Sequence, residues 1–434
     1  MTKPLFADVL YGRPPIILKT ALEIIRLDVF KLVNLFPLFS GYLLLVVQDS
    51  METVAWSFLP DHVLVDVFSY LTISDRYQAS QTCASWNFAF CSPHLWKKVR
   101  FEFKDPEDER HLKFLDQFGH FVQSLHICVD QEVEECRECA CQLICRLARM
   151  PNRQLQRFRL LFIGQNPCLY SGSEFLDALS LLFGSNGESK SLRTVDLRGL
   201  LVSFSGELLE ILSENHPDLE VLNIQNNALI CKVYPNSLLT LVNRCRKLKE
   251  LCVFSISCTE EVLLALIEKD REPLRRLSIF CRREEKYVKD IPSSVWQRIA
   301  NRLPELRVTL GFDNTIELLK VREVMKPEIP VNELRLETAT DLWHEVRLAC
   351  SFYKDFLEKL IVKSPPSKNQ RELDEALLTV ARECPLLRSL HVFYVLEEET
   401  VKKILELCPV MREKETYTLK YVAEPHPWKP GKDF

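Results

Sequence analysis

Leu192-Arg-Thr-Val195-Asp-Leu197, Leu219-Glu-Val-Leu222-Asn-Ile224 and Leu248-Lys-Glu-Leu251-Cys-Val253 repeat one pattern, Leu-x-x-Leu-x-Leu with other apolar residues admitted. Outward in both directions the pattern opens again at Val122, Leu155, Leu274, Leu303, Val331, Leu357 and Leu387. From Leu192 the steps are 27, 29, 26, 29, 28, 26 and 30 residues; the two before it, 33 and 37, imply insertions. The unit at Leu303 can also be opened at Leu306, and the spacing does not choose between them. Alternation with period two turns the apolar pair to one side of a short strand. The segments between, such as Gly206–Asn215, Ser237–Cys245 and Glu372–Cys384, carry helical periodicity. Cys245 and Cys384 each stand three residues before a strand-opening Leu, where a small buried residue is wanted. A unit of strand plus returning helix buries its apolar side only by stacking on its neighbours. The expected fold class is therefore α/β: a solenoid with short parallel strands on the concave face and helices on the convex face.

A period of 26–30 residues with this signature belongs to leucine-rich repeats. The expected array covers 120–415, followed by a polar tail, 416–434, that contains Pro425, Pro427 and Pro430. Such arrays bind on the concave strand face. Pleat alternation places on it Arg157, Arg198, Phe254, Arg276, Phe280, Arg335 and Phe393, the candidate substrate-binding residues. Arg159, Thr194, Asp196, Val221, Asn223, Gln225, Glu250, Glu333, Lys359, Lys363 and His391 fall on the same side. Phe beside Arg is the composition of interaction hot spots.

Residues 55–103 form a separate module. Leu59-Pro60 opens a helix, because the missing N–H of Pro costs nothing in a first turn. Leu64, Val67, Phe68 and Leu71 follow at i, i+3, i+4 and i+7, one apolar stripe. Ser74-Asp75 starts a second helix that carries Ala79, Cys83 and Trp86. Then come Leu95-Trp96 and the strand-like alternation Val99-Arg-Phe101-Glu-Phe103. About fifty residues bury little surface alone, so such a module needs a neighbour or a partner.

These residues resemble the F-box family in order and spacing: Leu59-Pro60, Leu64, Val67-Phe68, Tyr70-Leu71, Asp75, Cys83-Ala-Ser-Trp86 and Leu95-Trp96. His62, where an acidic residue is common, and Thr82, in place of the usual Val, depart from the pattern off the apolar stripe. With the repeats, the chain is similar to the leucine-rich subclass of F-box proteins over residues 55–415, nearest to members with degenerate repeats. The resemblance implies a non-catalytic substrate receptor of a Skp–cullin–F-box ubiquitin ligase. Leu59, Pro60, Leu64, Val67, Phe68, Leu71, Trp86 and Trp96 would dock a Skp-type adaptor and, through it, cullin, while the repeats capture a protein target. A competing reading is a repeat scaffold whose F-box-like helices only pack the end of the solenoid.

Residues 1–50 differ from the rest. Leu32–Gln48 is a charge-free run of 17 residues, interrupted by Asn34, Pro37 and Gly41, against the ~20 apolar residues a membrane helix needs. It reads as a packed amphipathic extension more readily than as a span, and Met51 offers an alternative start. Lys+Arg 56 against Asp+Glu 60 leaves a net charge of −4, so no overall basic field serves nucleic acid. Eleven glycines argue against glycine-cradled phosphate sites. The 16 cysteines stand mostly singly inside apolar segments, no charged-then-apolar leader is legible, and a reducing compartment, cytosol or nucleus, is expected. Cys136, Cys139, Cys141 and Cys145 could in principle hold zinc. They also sit on one helical stretch, which cannot readily bring four sulfurs onto one ion, so no metal or other cofactor is expected. His344-Glu345 lacks the second His of a zinc protease, and no nucleophile elbow or P-loop is present.

Overall fold

The computed structural model describes residues 59–165, 172–184, 191–226, 228, 231–282, 290–338, 341–363 and 370–421. The run Leu32–Gln48 and the three tail prolines lie outside them. Among the described residues no helix is long and apolar enough to cross a membrane.

Twelve strands pair in chain order into one parallel sheet. They are β1 (Lys98–Phe103), β2 (Ser124–Val129), β3 (Arg157–Phe162), β4 (Thr194–Asp196), β5 (Val221–Asn223) and β6 (Glu250–Phe254), then β7 (Arg276–Cys281), β8 (Arg307–Phe312), β9 (Val331–Glu337), β10 (Lys359–Lys363), β11 (Ser389–Leu396) and β12 (Tyr417–Tyr421). Helices return between most of them, as parallel pairing demands. Register explains the leucine pattern. Val99, Leu125, Phe158, Val195, Leu222, Leu251, Leu277 and Val308 lie side by side across eight strands and are all buried. Each such side chain contributes roughly 1.5–3 kcal/mol of burial, and none is covered without the next repeat.

The returning helices close the other side of this core. Pro235–Arg244 begins with Pro at its first position and buries Leu238, Leu241 and Val242. Cys245, just past that helix, is fully buried, with Sγ 3.7 Å from the His216 carbonyl one repeat earlier. Cys408 stands against the Ala381 carbonyl in the same way. Cys245 and Cys384 are the small buried residues the pattern asked for, and burial pushes the Cys245 thiol up to about 12.

Three boundaries differ from the sequence expectation. Lys98–Phe103, assigned above to the module, is the first strand of the sheet. Tyr417–Tyr421, assigned to the tail, is its last, carried by bonds to β11. Neither Leu303 nor Leu306 opens the eighth unit. Arg307 pairs with Arg276, so Glu305 occupies the opening position, while Leu303 closes the preceding helix Ser293–Arg302. The inward parity of Leu306, Val308 and Leu310 is nevertheless the one that the Leu303 opening gives.

Candidate functional site

Four helices build the module: α1 (Asp61–Ser69), α2 (Ile73–Ser80), α3 (Ala84–Phe90) and α4 (Pro93–Trp96). Pro60 is the N-cap of α1 and Asp61 stands in its first turn, complementing the positive helix end. The Thr72 hydroxyl accepts the Asp75 N–H and caps α2, two residues earlier than the Ser74-Asp75 start read from sequence. Arg76 joins these pieces. Its guanidinium is buried and donates to the carbonyls of Phe68 (2.8 Å), Leu71 (3.0 Å), Ser69 (3.1 Å) and Leu95 (3.3 Å). It closes the exposed end of α1 and ties it to α4, and burial holds its pKa down to about 10.

This packing corrects part of the sequence reading. Leu64, Phe68, Leu71, Trp86 and Trp96 are at most 8% exposed. They form the module's own core and are closed to any partner, because a small helical unit with few apolar residues must spend them on itself. Phe68 meets Trp86 edge-to-face. Trp96 donates its indole N–H to the Phe90 carbonyl at 2.7 Å and stacks on Phe118, ring centroids 4.3 Å apart. Leu59, Pro60 and Val67 remain accessible. Three further aromatics, Tyr70, Tyr77 and Phe88, are 51%, 47% and 65% exposed. Tyr70 belongs to the quoted motif; Tyr77 and Phe88 carried no sequence signal, since they stand off the apolar stripe.

On the concave face, Arg157 and Arg276 are exposed, with Arg276 paired to Glu250. Arg198 makes a two-pronged bond to Asp196, at 3.0 and 2.7 Å. Phe393 is exposed, Arg335 half-buried and paired with Glu333 at 2.8 Å. Phe254 has the outward parity expected of it but is buried, and so is corrected as a contact residue. The Arg282 guanidinium lies over its ring at 4.2 Å and is itself fixed by the Asn226 and Ala228 carbonyls. Asp196 and Asn223, also on the outward side, are each only 7% exposed. Phe280 is half-buried, edge-on to Phe254, and lies where a Cβ on Gly311 would stand. The pair was invisible in sequence, because it depends on Phe280 and Gly311 facing each other across β7 and β8.

The four cysteines ride one unbroken helix, Glu134–Ala148. Cys136 and Cys139 are buried, Cys141 and Cys145 half-buried on the opposite flank. Burial pushes the Cys136 thiol up to about 11 and that of Cys141 up to about 12.

Comparison with known proteins names the same two parts, an F-box and leucine-rich repeats. Residues 56–102 match the F-box-like family. F-box/LRR-repeat protein 8 from Bos taurus is 31% identical over 375 residues, covering 86% of this chain and 97% of that protein. The chain belongs to the F-box/LRR-repeat family. Its similarity to F-box/LRR-repeat protein 8 of Homo sapiens is 29% over the same shares of both chains. F-box/LRR-repeat protein 21 of Mus musculus is 26% identical over 77% of this chain and 76% of its own length. In this F-box/LRR-repeat chain the module is thus the F-box, and its last element is also the first repeat strand.

Proposed function

We propose that the chain is a substrate-recognition subunit of an SCF-type ubiquitin ligase in the cytosol or nucleus. The F-box docks a Skp-type adaptor, and through it cullin. The concave face of the repeats captures a protein target, and transfer is carried out by other subunits. The chain's own contribution to rate is proximity, since a tethered target meets the transfer machinery at raised effective concentration.

The observation that carries this reading is the F-box-like match over 56–102 on a module that still offers apolar surface after its core is filled. Leu59, Pro60 and Val67 are accessible, and Tyr70 and Phe88 are more than half exposed. One observation also favours the scaffold reading: Trp96 on Phe118, and β1 on β2, make the module a cap on the array. Capping uses the module's core side and leaves the surface of α1 open, so the two roles do not compete.

The test is co-purification of the full chain with the adaptor and a cullin. Replacing Leu59 and Pro60 together by Ala should abolish adaptor capture and leave the thermal melt of the repeats in place. Undiminished capture by that double variant, or no capture by the parent chain, would overturn the receptor reading in favour of the scaffold.

A further inference from the structure

The chain as a whole is acidic, yet one third of its concave face is not. On the outward side of β1 to β4 stand Lys98, Arg100, Lys104, Arg157, Arg159 and Arg198. The carboxylates of this region are already used; Asp130, one residue past β2, accepts the Glu132 N–H at 3.1 Å. Glu102 is clasped between Arg100 at 2.6 Å and Lys104 at 2.7 Å. Asp196 is clasped between Arg159 at 3.5 Å and Arg198 at 2.7 Å. Asp108 accepts the backbone N–H groups of Lys104 and Asp105, at 2.8 and 3.0 Å. The side chain of Asp196 is 10% exposed while those of its two arginines are 41% and 57% exposed. An arriving molecule therefore meets the cations and not the carboxylate beneath them. Lys98 and Arg157, in one row with Ser124 of β2 between them, are exposed and enter no ion pair among the described residues. His126 lies in register between Arg100 and Arg159. Burial and the two arginines hold its pKa below the usual value, so it adds a neutral hydrogen-bonding group.

The surface is also concave at the scale of a peptide. A cleft of about 720 Å³ runs between the Ser69–Ser74 turn of the F-box and the first two strands. Lys98, Arg100 and Lys104 line its sheet wall. Four strands at ~4.8 Å spacing span about 15 Å, the length of four or five extended residues. No Phe, Tyr or Trp stands outward on β1 to β4, so the broad stacking platform that single-stranded nucleic acid uses is missing from these strands.

We propose that this basic third of the concave face, together with the cleft at its edge, receives an acidic segment of the captured protein. The segment is an extended run of carboxylate or phosphorylated side chains that replaces water over the exposed guanidinium groups. This is the substrate end of the receptor reading above and rests on it. It also explains the pairing pattern: carboxylates clasped by two cations each keep the arginines ordered, which lowers the entropy lost when a second anion arrives.

The experiment measures fluorescence anisotropy with the purified full chain and three labelled eight-residue peptides of equal length. One alternates Glu and Ser, one replaces its Ser by phosphoserine, and one replaces its Glu by Gln. Both anionic peptides should bind and weaken steeply with added salt, and the Gln peptide should not bind. Preference for one anionic peptide tells a phosphorylated segment from an acidic one. Lys98→Glu with Arg157→Glu should weaken binding about tenfold or more, since neither side chain holds an intramolecular partner whose loss would cost stability. Arg382→Glu on the convex side should leave binding unchanged. The assignment is overturned if neither anionic peptide binds at low salt, if Arg382→Glu weakens binding equally, or if a single-stranded oligonucleotide binds more tightly than either peptide. Adaptor capture is read on the same preparations. Loss of peptide binding with capture intact removes this site alone, and absent capture with peptide binding intact removes the receptor reading alone.

Discussion

Leu222→Ala and Phe280→Ala separate the two sides of the sheet. Leu222 is fully buried at the centre of the array, in register between Val195 and Leu251. Truncation removes three carbons from a row whose neighbours are pinned by the ladder on both sides, so the cavity cannot close by a strand sliding in. That places it in the upper part of the range for such changes, about 3–5 kcal/mol. Phe280 sits one residue past the inward Ile279 and is half-exposed. Its loss forfeits an edge contact to Phe254 and the packing on Gly311, about 1–2 kcal/mol. Urea unfolding followed by far-ultraviolet circular dichroism measures both, and the ordering matters more than either value. If Leu222→Ala costs less than about 1 kcal/mol, or Phe280→Ala costs more than Leu222→Ala, the side of the sheet assigned to binding is wrong throughout.

Three further outcomes follow from single buried groups. Arg76→Met should destabilise the F-box by about 3 kcal/mol or more, because four carbonyls lose their shared donor; hydrogen exchange of α1 reads this, and an unchanged exchange rate there would refute it. His216 accepts the Leu192 N–H through Nδ1, and burial, with Arg153 nearby, holds its pKa down to about 4. The unfolded chain takes up a proton near pH 6.5 and the folded one only near 4, so stability falls as pH drops through that window, by about 3 kcal/mol in all. His216→Gln should flatten this dependence in melts at pH 7 and pH 5. Gly311→Ala should push the Phe280 ring off its seat while leaving the inward row untouched; a loss of stability as large as that of Leu222→Ala would contradict the placement.

The repeat architecture was legible because the inward rows admit little but Leu, Val, Ile and Phe, and stacking fixes their period. What escaped were units whose opening position is filled differently. Trp96-Lys-Lys-Val99-Arg-Phe101 is a full repeat phrase that opens on Trp, a residue already claimed by the F-box motif. Register with Leu390 gives the twelfth unit Lys414 in the opening place and the eighth unit Glu305, so a search for leucine passes over both. In the F-box the motif residues were visible, but a motif does not say which side of a stripe is inside. Leu64, Phe68 and Trp86 proved to be the core, and the accessible Phe88 lies outside the pattern. Phe254 shows the same limit on the concave face. Parity set its direction correctly, and a guanidinium from beyond the next strand then covered it.

The sharing of β1 between the two parts has a mechanical consequence. No linker separates the F-box from the repeats: Trp96 ends the last helix, Lys98 begins the first rung, and six residue pairs in register bind that rung to β2. A joint of this kind transmits torque instead of absorbing it. Whatever lies in the concave face is carried at one bearing relative to whatever grips α1, so the two grips set a fixed reach and a fixed orientation. On the receptor reading, which lysines of a target come within range of transfer is then decided by where along the solenoid the target lodges, and a target bound over β1 to β4 would be presented differently from one bound over β9 to β11.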